Sequence, residues 1–505
     1  MSPCRPLARR LTALATSLTA LAIPLVAQAG GIEFPDNGTV ALGRGGANAA
    51  LPDDGLAVHF NPAALAWQRG SRLTLGTNVI QKDLTFTRRY SDGSKADPIQ
   101  NDSGLFPAPH LFYTDDFGLK NWGFGFGAYG PSSAGANNYP RDGAQRYMLV
   151  ETDVILGYLS FAAAYAVTPE LAFGATLQWT MAPNMHFGLV TTTFMDKSES
   201  AHCDQPGQTE ANQGTACDFD PTAFDSFTSV DASMWFAPAL RLGASWRPSP
   251  NWSFALAGRV TPIEVRNEGK VKLQVSEDMK KLGTITHPDN GVALTMTLPW
   301  TAVAAARYGA GPDGKAWDLE ADLTYEAWSS LDALRLEFDG PLNLQLNAST
   351  DPDKINVIPL SNVSIRKNYS DVWGGRLGGS YRVNPAWTVR AGSFYESAAV
   401  PVELTNLDFV SWDRLGATAG VSWTIGAYEI AAGYAYIHFP TRDVTNSEVR
   451  QVQPLSDCQP PYDNATNCTV KVGKQVRDVS PAVAGNGIFD AAVHVGSVSL
   501  IARWE

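Results

Sequence analysis

Past Ser71 the chain alternates apolar and polar positions with a period of two. Between Met234 and Trp246, the residues Phe236, Pro238, Leu240, Leu242, Ala244 and Trp246 fall on one face, and Trp235, Ala237, Ala239, Arg241, Gly243 and Ser245 on the other. A period of two is the signature of a β-strand with one buried face. The same pattern runs through Trp252, Phe254, Leu256 and Val260. It recurs in Trp317, Leu319, Ala321, Leu323 and Tyr325, set against Asp318, Glu320, Asp322, Thr324 and Glu326. It returns in Tyr428, Ile430, Ala432, Tyr434 and Tyr436, and in Val498, Leu500, Ala502 and Trp504 at the end of the chain. These apolar faces tend to begin or end in Trp or Tyr. A soluble sandwich buries aromatics mid-strand as readily as at strand ends, whereas a membrane barrel sets them at its two water interfaces.

The connections between strands alternate in length. Residues 114–121, 167–170, 247–251, 309–315, 384–386 and 425–427 are short and mostly carry Pro, Gly, Asn or Asp, as tight turns require. Residues 91–104, 131–147, 194–232, 267–290, 340–369, 397–410 and 440–490 are long. Strict alternation of short and long connections predicts about fourteen antiparallel strands with every long loop at one end, the outer-membrane pattern. Beyond the N-terminus no stretch approaches the ~18 consecutive apolar residues of a membrane helix. A closed barrel spans a membrane without one, because each backbone group pairs with a neighbouring strand.

Residues 1–29 read as a secretory signal. Arg5, Arg9 and Arg10 precede an apolar run over 11–26, and Ala27-Gln28-Ala29 is a cleavage site, so the mature chain begins near Gly30. Cys4 precedes the apolar run, where a lipoprotein cysteine would not lie. The stretch from Gly38 to Leu65 is rich in Gly and Ala and has neither a helical nor a strand period. It is too apolar to stand in water alone. The expected domain plan is therefore a signal at 1–29, a plug or hatch at 30–70, and a transmembrane β-barrel over 71–505 that encloses the plug.

The totals agree with this plan. The 505 residues include 45 Gly, 14 Trp and 16 Tyr, with only 17% charged residues and a net charge of −12. That balance, without a basic block, argues against nucleic acid. Four cysteines follow the cleavage site, Cys203 and Cys217 in one long loop and Cys458 and Cys468 in another. Two local disulfides in an oxidising compartment are expected, each worth about 3 kcal/mol in the chain-entropy model. Zinc is the alternative, but the spacings lack a CxxC and only His202 lies near, so no metal and no cofactor are expected. An outer-membrane enzyme is disfavoured, since His110, His438 and His494 have no matching serine motif and there is no GxSxG. A general porin would lack the plug.

Five segments in order carry a resemblance to a known family: Ala41-Leu-Gly-Arg-Gly-Gly-Ala47, Phe60-Asn-Pro-Ala-Ala64, Tyr325-Glu-Ala-Trp-Ser329, Arg390-Ala-Gly-Ser-Phe-Tyr395 and Gly485-Asn-Gly-Ile-Phe489. The chain resembles the FadL outer-membrane transporters, which include TodX-like aromatic hydrocarbon channels. The resemblance implies a fourteen-stranded barrel in the outer membrane of a Gram-negative bacterium, working as a monomer. It implies passive uptake of long-chain fatty acids or related lipophilic molecules, with aromatic hydrocarbons or alkanes as the alternative cargo. It places Asn61, Pro62 and Ala63, with Gly43, Arg44, Gly45 and Gly46, in the hatch, where they either gate transport or only stabilise the plug. Physically, Pro62 fixes its own φ and Asn61 can bond backbone groups stranded inside a lumen.

The family's lateral exit is a kink in the third strand. Here that strand is Trp122 to Pro131, with Gly123, Gly125 and Gly127 at every second position, followed by Gly130 and Pro131. The glycines mark an exit through the wall, or room for the hatch packed against it. Fatty-acid carriers hold the carboxylate with basic lumen residues. The fifth strand, 171–194, has no Arg or Lys and offers only His186, a departure that favours a neutral or aromatic ligand. By alternation Arg241, Arg259, Arg376, Arg390 and Arg414 face inward with Asp318, Glu320, Asp322 and Glu326. Opposite charges on one lumen surface point to a structural network, from which Arg376, Arg390 or Arg414 could still serve a carboxylate. The expected partners are hydrophobic small molecules, outer-membrane lipid and the barrel assembly machinery, which reads a terminal aromatic. Here Trp504 is penultimate, before Glu505.

Overall fold

A computed structural model describes residues 38–50, 52–90, 92–131, 135–192, 225–277, 280, 283–286, 289–311, 316–340, 342–346, 356–358, 362–451, 469–472, 475–478 and 483–504. The expected signal at 1–29, the first residues of the plug and all five cysteines lie outside the described residues. So do both expected disulfides.

Among the described residues, fourteen strands form one closed antiparallel barrel. They are β1 (Ser71–Arg88), β2 (Phe106–Asp115), β3 (Trp122–Tyr129, resuming as Gly135–Asn138), β4 (Glu151–Ala166), β5 (Leu171–Thr192) and β6 (Asp225–Trp246). Then come β7 (Trp252–Arg259 and Ile263–Val275), β8 (Asp289–Leu298 and Thr301–Ala310), β9 (Trp317–Glu326 and Ala333–Phe338) and β10 (Val363–Arg366 and Val372–Arg382). The last are β11 (Trp387–Glu396), β12 (Arg414–Ile425), β13 (Tyr428–Val444) and β14 (Gly487–Trp504). Each pairs with its successor, and β14 returns to β1 from Ser71↔Trp504 to Arg88↔Gly487, which closes the ring. The strict alternation of short and long connections is present, so the long loops share one end.

The outer face carries an apolar band between two rows of aromatics. At the short-turn end, Trp252 meets Tyr308 at 5.0 Å and Tyr308 meets Trp317 at 5.7 Å, while Trp387 stacks on Trp423 at 5.9 Å. At the long-loop end, Tyr325 lies 5.0 Å from Trp300 and 4.8 Å from Trp373. From Trp317 to Tyr325 the strand rises about 27 Å, which at the usual barrel tilt makes a band roughly 20 Å tall. Beyond the upper aromatics the outer face turns polar. On β7, Glu264, Arg266, Glu268, Lys270 and Lys272 are exposed, while Ile263, Val265, Val271 and Leu273 are buried. The wall thus rises above the apolar band.

Two expectations change here. Residues 225–232 and 267–275 read as loop but are strand. The outer positions of 267–275 are polar, and those of 225–232 are polar but for Phe227, which Arg141 covers, so both lack the aromatic-bounded apolar face that marks the membrane segments. Trp235, expected on the inner face, is instead 65% exposed, as is its neighbour Phe236 at 58%. The β5–β6 register slips between Thr180 and Ala182 and again between Ala182 and Met185. A bulge of this kind breaks the alternation and sends both aromatics outward.

Ala321, exposed midway along the apolar band of β9, gives a direct check on the membrane boundary. Ala321→Arg is expected to lower stability by about 2–4 kcal/mol in urea unfolding from lipid vesicles, and Glu268→Arg, above the band, by less than about 1 kcal/mol.

Candidate functional site

Residues 38–50 and 52–70 pack against the strands of the wall. Two short helices, α1 (Thr39–Leu42) and α2 (Ala57–Phe60), and a 3-10 turn at Pro62–Trp67 are joined by tight turns. The first turn uses Gly45 and Gly46 at φ of 65° and 76°, values that side chains disfavour. The wall meets this segment with glycines. A Cβ on Gly378 or Gly392 would overlap the Arg44 backbone, and one on Gly420 would crowd Gly43. On the opposite side Gly174 and Gly243 make room for Asn61, Pro62 and Ala63, and Gly123 for the Leu65 carbonyl. Strands β3, β5, β6, β10, β11 and β12 thus approach the segment to backbone distance.

Polar bonds fix it in that seat. Arg44 donates to Asp318 Oδ1 at 2.6 Å and Glu320 Oε2 at 3.0 Å, both on β9, and through Nε to the Ala47 carbonyl at 2.9 Å. Glu320 also accepts from the Ala50 amide at 2.7 Å. Asn61 is completely buried and uses both ends of its amide. It accepts from the Ala63 amide at 3.1 Å, which starts the 3-10 turn, and donates to the Ala49 carbonyl at 2.9 Å and Ser245 Oγ at 2.7 Å. Thr176 donates to the Val58 carbonyl at 2.9 Å, and His59 meets the Tyr129 hydroxyl at 3.2 Å. Burial, with Arg241, Arg376 and Arg259 nearby, pushes the His59 pKa well below its ordinary value, so the ring is neutral.

Among the described residues, the ladder between β2 and β3 is interrupted beside this segment. All eight residues of Trp122–Tyr129 pair with β4, and five of them also pair with β2. After Tyr129 the strand leaves, and it resumes at Gly135–Asn138 against β4 alone. Among the described residues, Phe106 to His110 of β2 therefore have a partner only on β1. Gly123 and Gly125 face the enclosed segment, and Gly127 faces Phe112 and Tyr129, whereas Gly130 lies at the break, close to the Leu156 carbonyl. Pro107 and Pro109 remove donors from one edge of β2, which suits an unpaired edge. Pro-Ala-Pro was a readable signal of the break that strand counting passed over.

The arginine candidates are all engaged with carboxylates. Arg376 and Arg414 converge on Glu396, at 3.2 Å and 2.5 Å, and Arg390 meets Glu429 at 3.3 Å. His186 does not line the lumen. Past the β5–β6 slip, Met185 is buried and Phe187 packs inward against Phe409, so His186 turns outward beside its cross-strand neighbours Asp153 and Asp231. There it bonds to Asp231 at 2.6 Å and Glu151 at 3.2 Å. Simple alternation from Leu171 would have kept it inside.

Comparison with known proteins follows the same line. The model of the family described as outer membrane protein transport protein (OMPP1/FadL/TodX) matches residues 20–473. The chain is 23% identical over 417 residues to alkane uptake protein A of Marinobacter nauticus, covering 77% of this chain and 79% of that protein. It is 20% identical over 450 residues to the long-chain fatty acid transport protein of Escherichia coli O6:H1, covering 85% and 92%. The crystal structure of a Pseudomonas aeruginosa FadL homologue superimposes with a TM-score of 0.68 at 16% identity, covering 94% of this chain and all of the other.

Asp54 makes the seat of the enclosed segment pH-dependent. Its Oδ1 accepts from the Leu56 amide at 3.0 Å, while Oδ2 is buried without a hydrogen bond among the described residues. Burial raises its pKa to about 6, with Asp53 and Glu429 adding to the shift and the Leu56 amide and Arg503 opposing it. A raised folded pKa favours the protonated, seated form, so this contribution is complete below about pH 4 and is lost as pH rises through about 6. Hydrogen exchange at the amides of residues 55–60, corrected for intrinsic rates, should show weaker protection at pH 7.5 than at pH 4.5. The difference corresponds to up to about 3 kcal/mol and should vanish in Asp54→Asn.

Proposed function

The chain belongs to the OMPP1/FadL/TodX family of outer-membrane transport proteins, and on that premise we propose that residues 30–70 form a hatch and that cargo leaves the barrel sideways at the break after Tyr129. It is an outer-membrane β-barrel transporter of hydrophobic substrates, and the proteins it resembles are named as transporters rather than enzymes. The observation that carries the gating proposal is the adjacency of the two features. Gly123 and Gly125 pack against the enclosed segment, and the same strand breaks off five residues after Gly125, at Gly130. A shift of the segment would therefore be felt directly at the break. Gly43, Arg44, Gly45, Gly46, Asn61, Pro62 and Ala63 are the seat of the hatch in this reading. Gly130 and Pro131, with the unpaired half of β2, frame the exit.

No energy source is required. Cargo shifts the hatch only by binding its two states unequally. The two-carboxylate grip on Arg44 sets what that difference must overcome.

Pairing of Arg376, Arg390 and Arg414 with carboxylates favours a neutral cargo, in keeping with the name of the Marinobacter relative. A fatty acid is the second reading, because two guanidinium groups share the single carboxylate of Glu396. Extraction of ligands co-purified from outer membranes separates the two. Neutral alkanes or aromatics support the first, and retained fatty acid supports the second.

Two variants test gating and exit. Arg44→Met leaves Glu320 buried without its guanidinium, while Asp318 keeps Arg307 at 3.5 Å, a change of about 3–5 kcal/mol, and should raise single-channel conductance and amide exchange across 38–70. Unchanged conductance would count against a movable hatch. Phe106, whose ring lies against Gly135 at the break, offers a plug for the exit. Phe106→Cys modified with a bulky thiol reagent should slow hydrocarbon uptake by at least about tenfold relative to the equally treated unsubstituted protein, because an occluded path removes the route outright. Uptake at the original rate would rule out this exit.

A further inference from the structure

The uptake reading leaves one inward-facing polar group on β5 unexplained. Thr176, Gln178 and Thr180 face the lumen, alternating with the exposed Leu177 and Trp179. Thr176 is occupied by the Val58 carbonyl of the enclosed segment. Gln178 and Thr180 rise above it, at 1% and 0% exposure. Both ends of the Gln178 amide, and the Thr180 hydroxyl, are without a hydrogen bond among the described residues. Three unpaired polar atoms so close together are costly in a buried place and call for a partner.

Their surroundings say what partner fits. The residues directly across from Gln178 are Ser160 on β4 and Ala239 on β6. Those across from Thr180 are Tyr158 and Ala237. The two alanines are small and offer no hydrogen-bonding side chain on the β6 side. On the β4 side, Ser160 bonds the Tyr129 hydroxyl at 3.2 Å, and Tyr129 is the last residue of β3 before the break. Phe112, Tyr129 and Tyr158 form an aromatic wall there, with ring centroids 5.1 Å and 5.5 Å apart. The polar atoms therefore lie level with Tyr129, one strand in from the aromatic wall that borders the break.

We infer that Gln178 and Thr180 are a hydrogen-bonding station for the hydroxyl of an otherwise apolar, neutral cargo, such as a long-chain alcohol or an alkylphenol. The inference rests on the uptake reading and narrows its substrate class. A hydroxyl donates to the Gln178 carbonyl oxygen while accepting from its amide nitrogen or from Thr180. A hydrocarbon satisfies neither atom, and a carboxylate meets the carbonyl oxygen with a second acceptor. Sites with buried hydrogen-bonding groups reject analogues that lack the matching group, because the site's own atoms are then left unpaired.

The test uses the full chain in nanodiscs equilibrated with an equimolar mixture of 1-decanol and n-undecane, with bound molecules extracted, quantified and corrected against empty discs. The wild type should retain decanol over undecane by at least about tenfold, the lower range for one unpaired buried group. Gln178→Met with Thr180→Val keeps the volume and removes the hydrogen bonds, so it should lose decanol and gain undecane. If the double variant fails to assemble as a heat-modifiable barrel, each single variant should still lose part of the preference. Equal retention of both molecules by the wild type, or an unchanged preference in the variants, overturns the station while the uptake reading stands. Retention of neither molecule by the wild type sinks both.

Discussion

A wall of strands in lipid must pair all its backbone groups with itself, because no water is present to take the remainder. Closure of β14 on β1 over the full length of both strands meets that demand at the two ends of the strand order. It also makes any gap in the ladder conspicuous. The gap after Tyr129 falls where β2 carries two prolines, so the edge left unpaired has fewer groups to strand. It falls beside Gly135 and the aromatic side chains of Phe106 and Phe112, not in the middle of a run of exposed amides.

A closed barrel of this size leaves a lumen that its own side chains do not fill, and the N-terminal segment supplies the missing mass. The fit is made from both sides. The segment contributes small residues and four positive-φ glycines, and the wall contributes glycines where the two backbones meet. Such contacts are unforgiving, since a Cβ at Gly378, Gly392 or Gly174 would overlap backbone atoms that cannot move aside. Charge then does what shape alone does not. Arg44 reaches a pair of carboxylates on β9, and Glu320 also holds the Ala50 amide, so one strand holds two points of the segment. A buried ion pair is a poor source of net stability, yet removing one partner is costly. Such a pair therefore defines a seated state sharply without deepening it much.

The sequence disclosed the barrel because membrane strands advertise themselves, through two-residue periodicity, aromatic ends and loops sorted by length. Counting them required no knowledge of side-chain contacts. The inner-face assignments survived wherever the ladder was regular, as at Arg241, Glu320 and Asp322. They failed at Trp235 and His186, both next to the slip in the β5–β6 register, because one extra residue reverses every later position and leaves no mark in the composition. The strand extensions at 225–232 and 267–275 were hidden for another reason. Above the membrane a strand needs no apolar outer face, so its polar positions look like loop. The seat of Asn61 was legible in part. Its bonding to stranded backbone groups followed from its chemistry, but its hold on Ser245, remote in sequence, needed the fold.

The lumen's charges narrow what the barrel can select. Arg44 with Asp318 and Glu320, Arg376 and Arg414 with Glu396, and Arg390 and Arg503 with Glu429 bind the N-terminal segment to the wall and strand to strand. Each carboxylate is engaged by at least one guanidinium, and breaking any such pair would expose a buried charge. A cargo that used one of these arginines would therefore compete with the wall's own cohesion. A cargo that used only shape and a neutral hydrogen bond would leave the network intact while it passed. In the passive mode proposed above such economy matters, because a ligand held by a buried ion pair leaves slowly. The polar atoms best suited to a moving cargo are thus those the network does not use, and they lie beside the aromatic wall at the break.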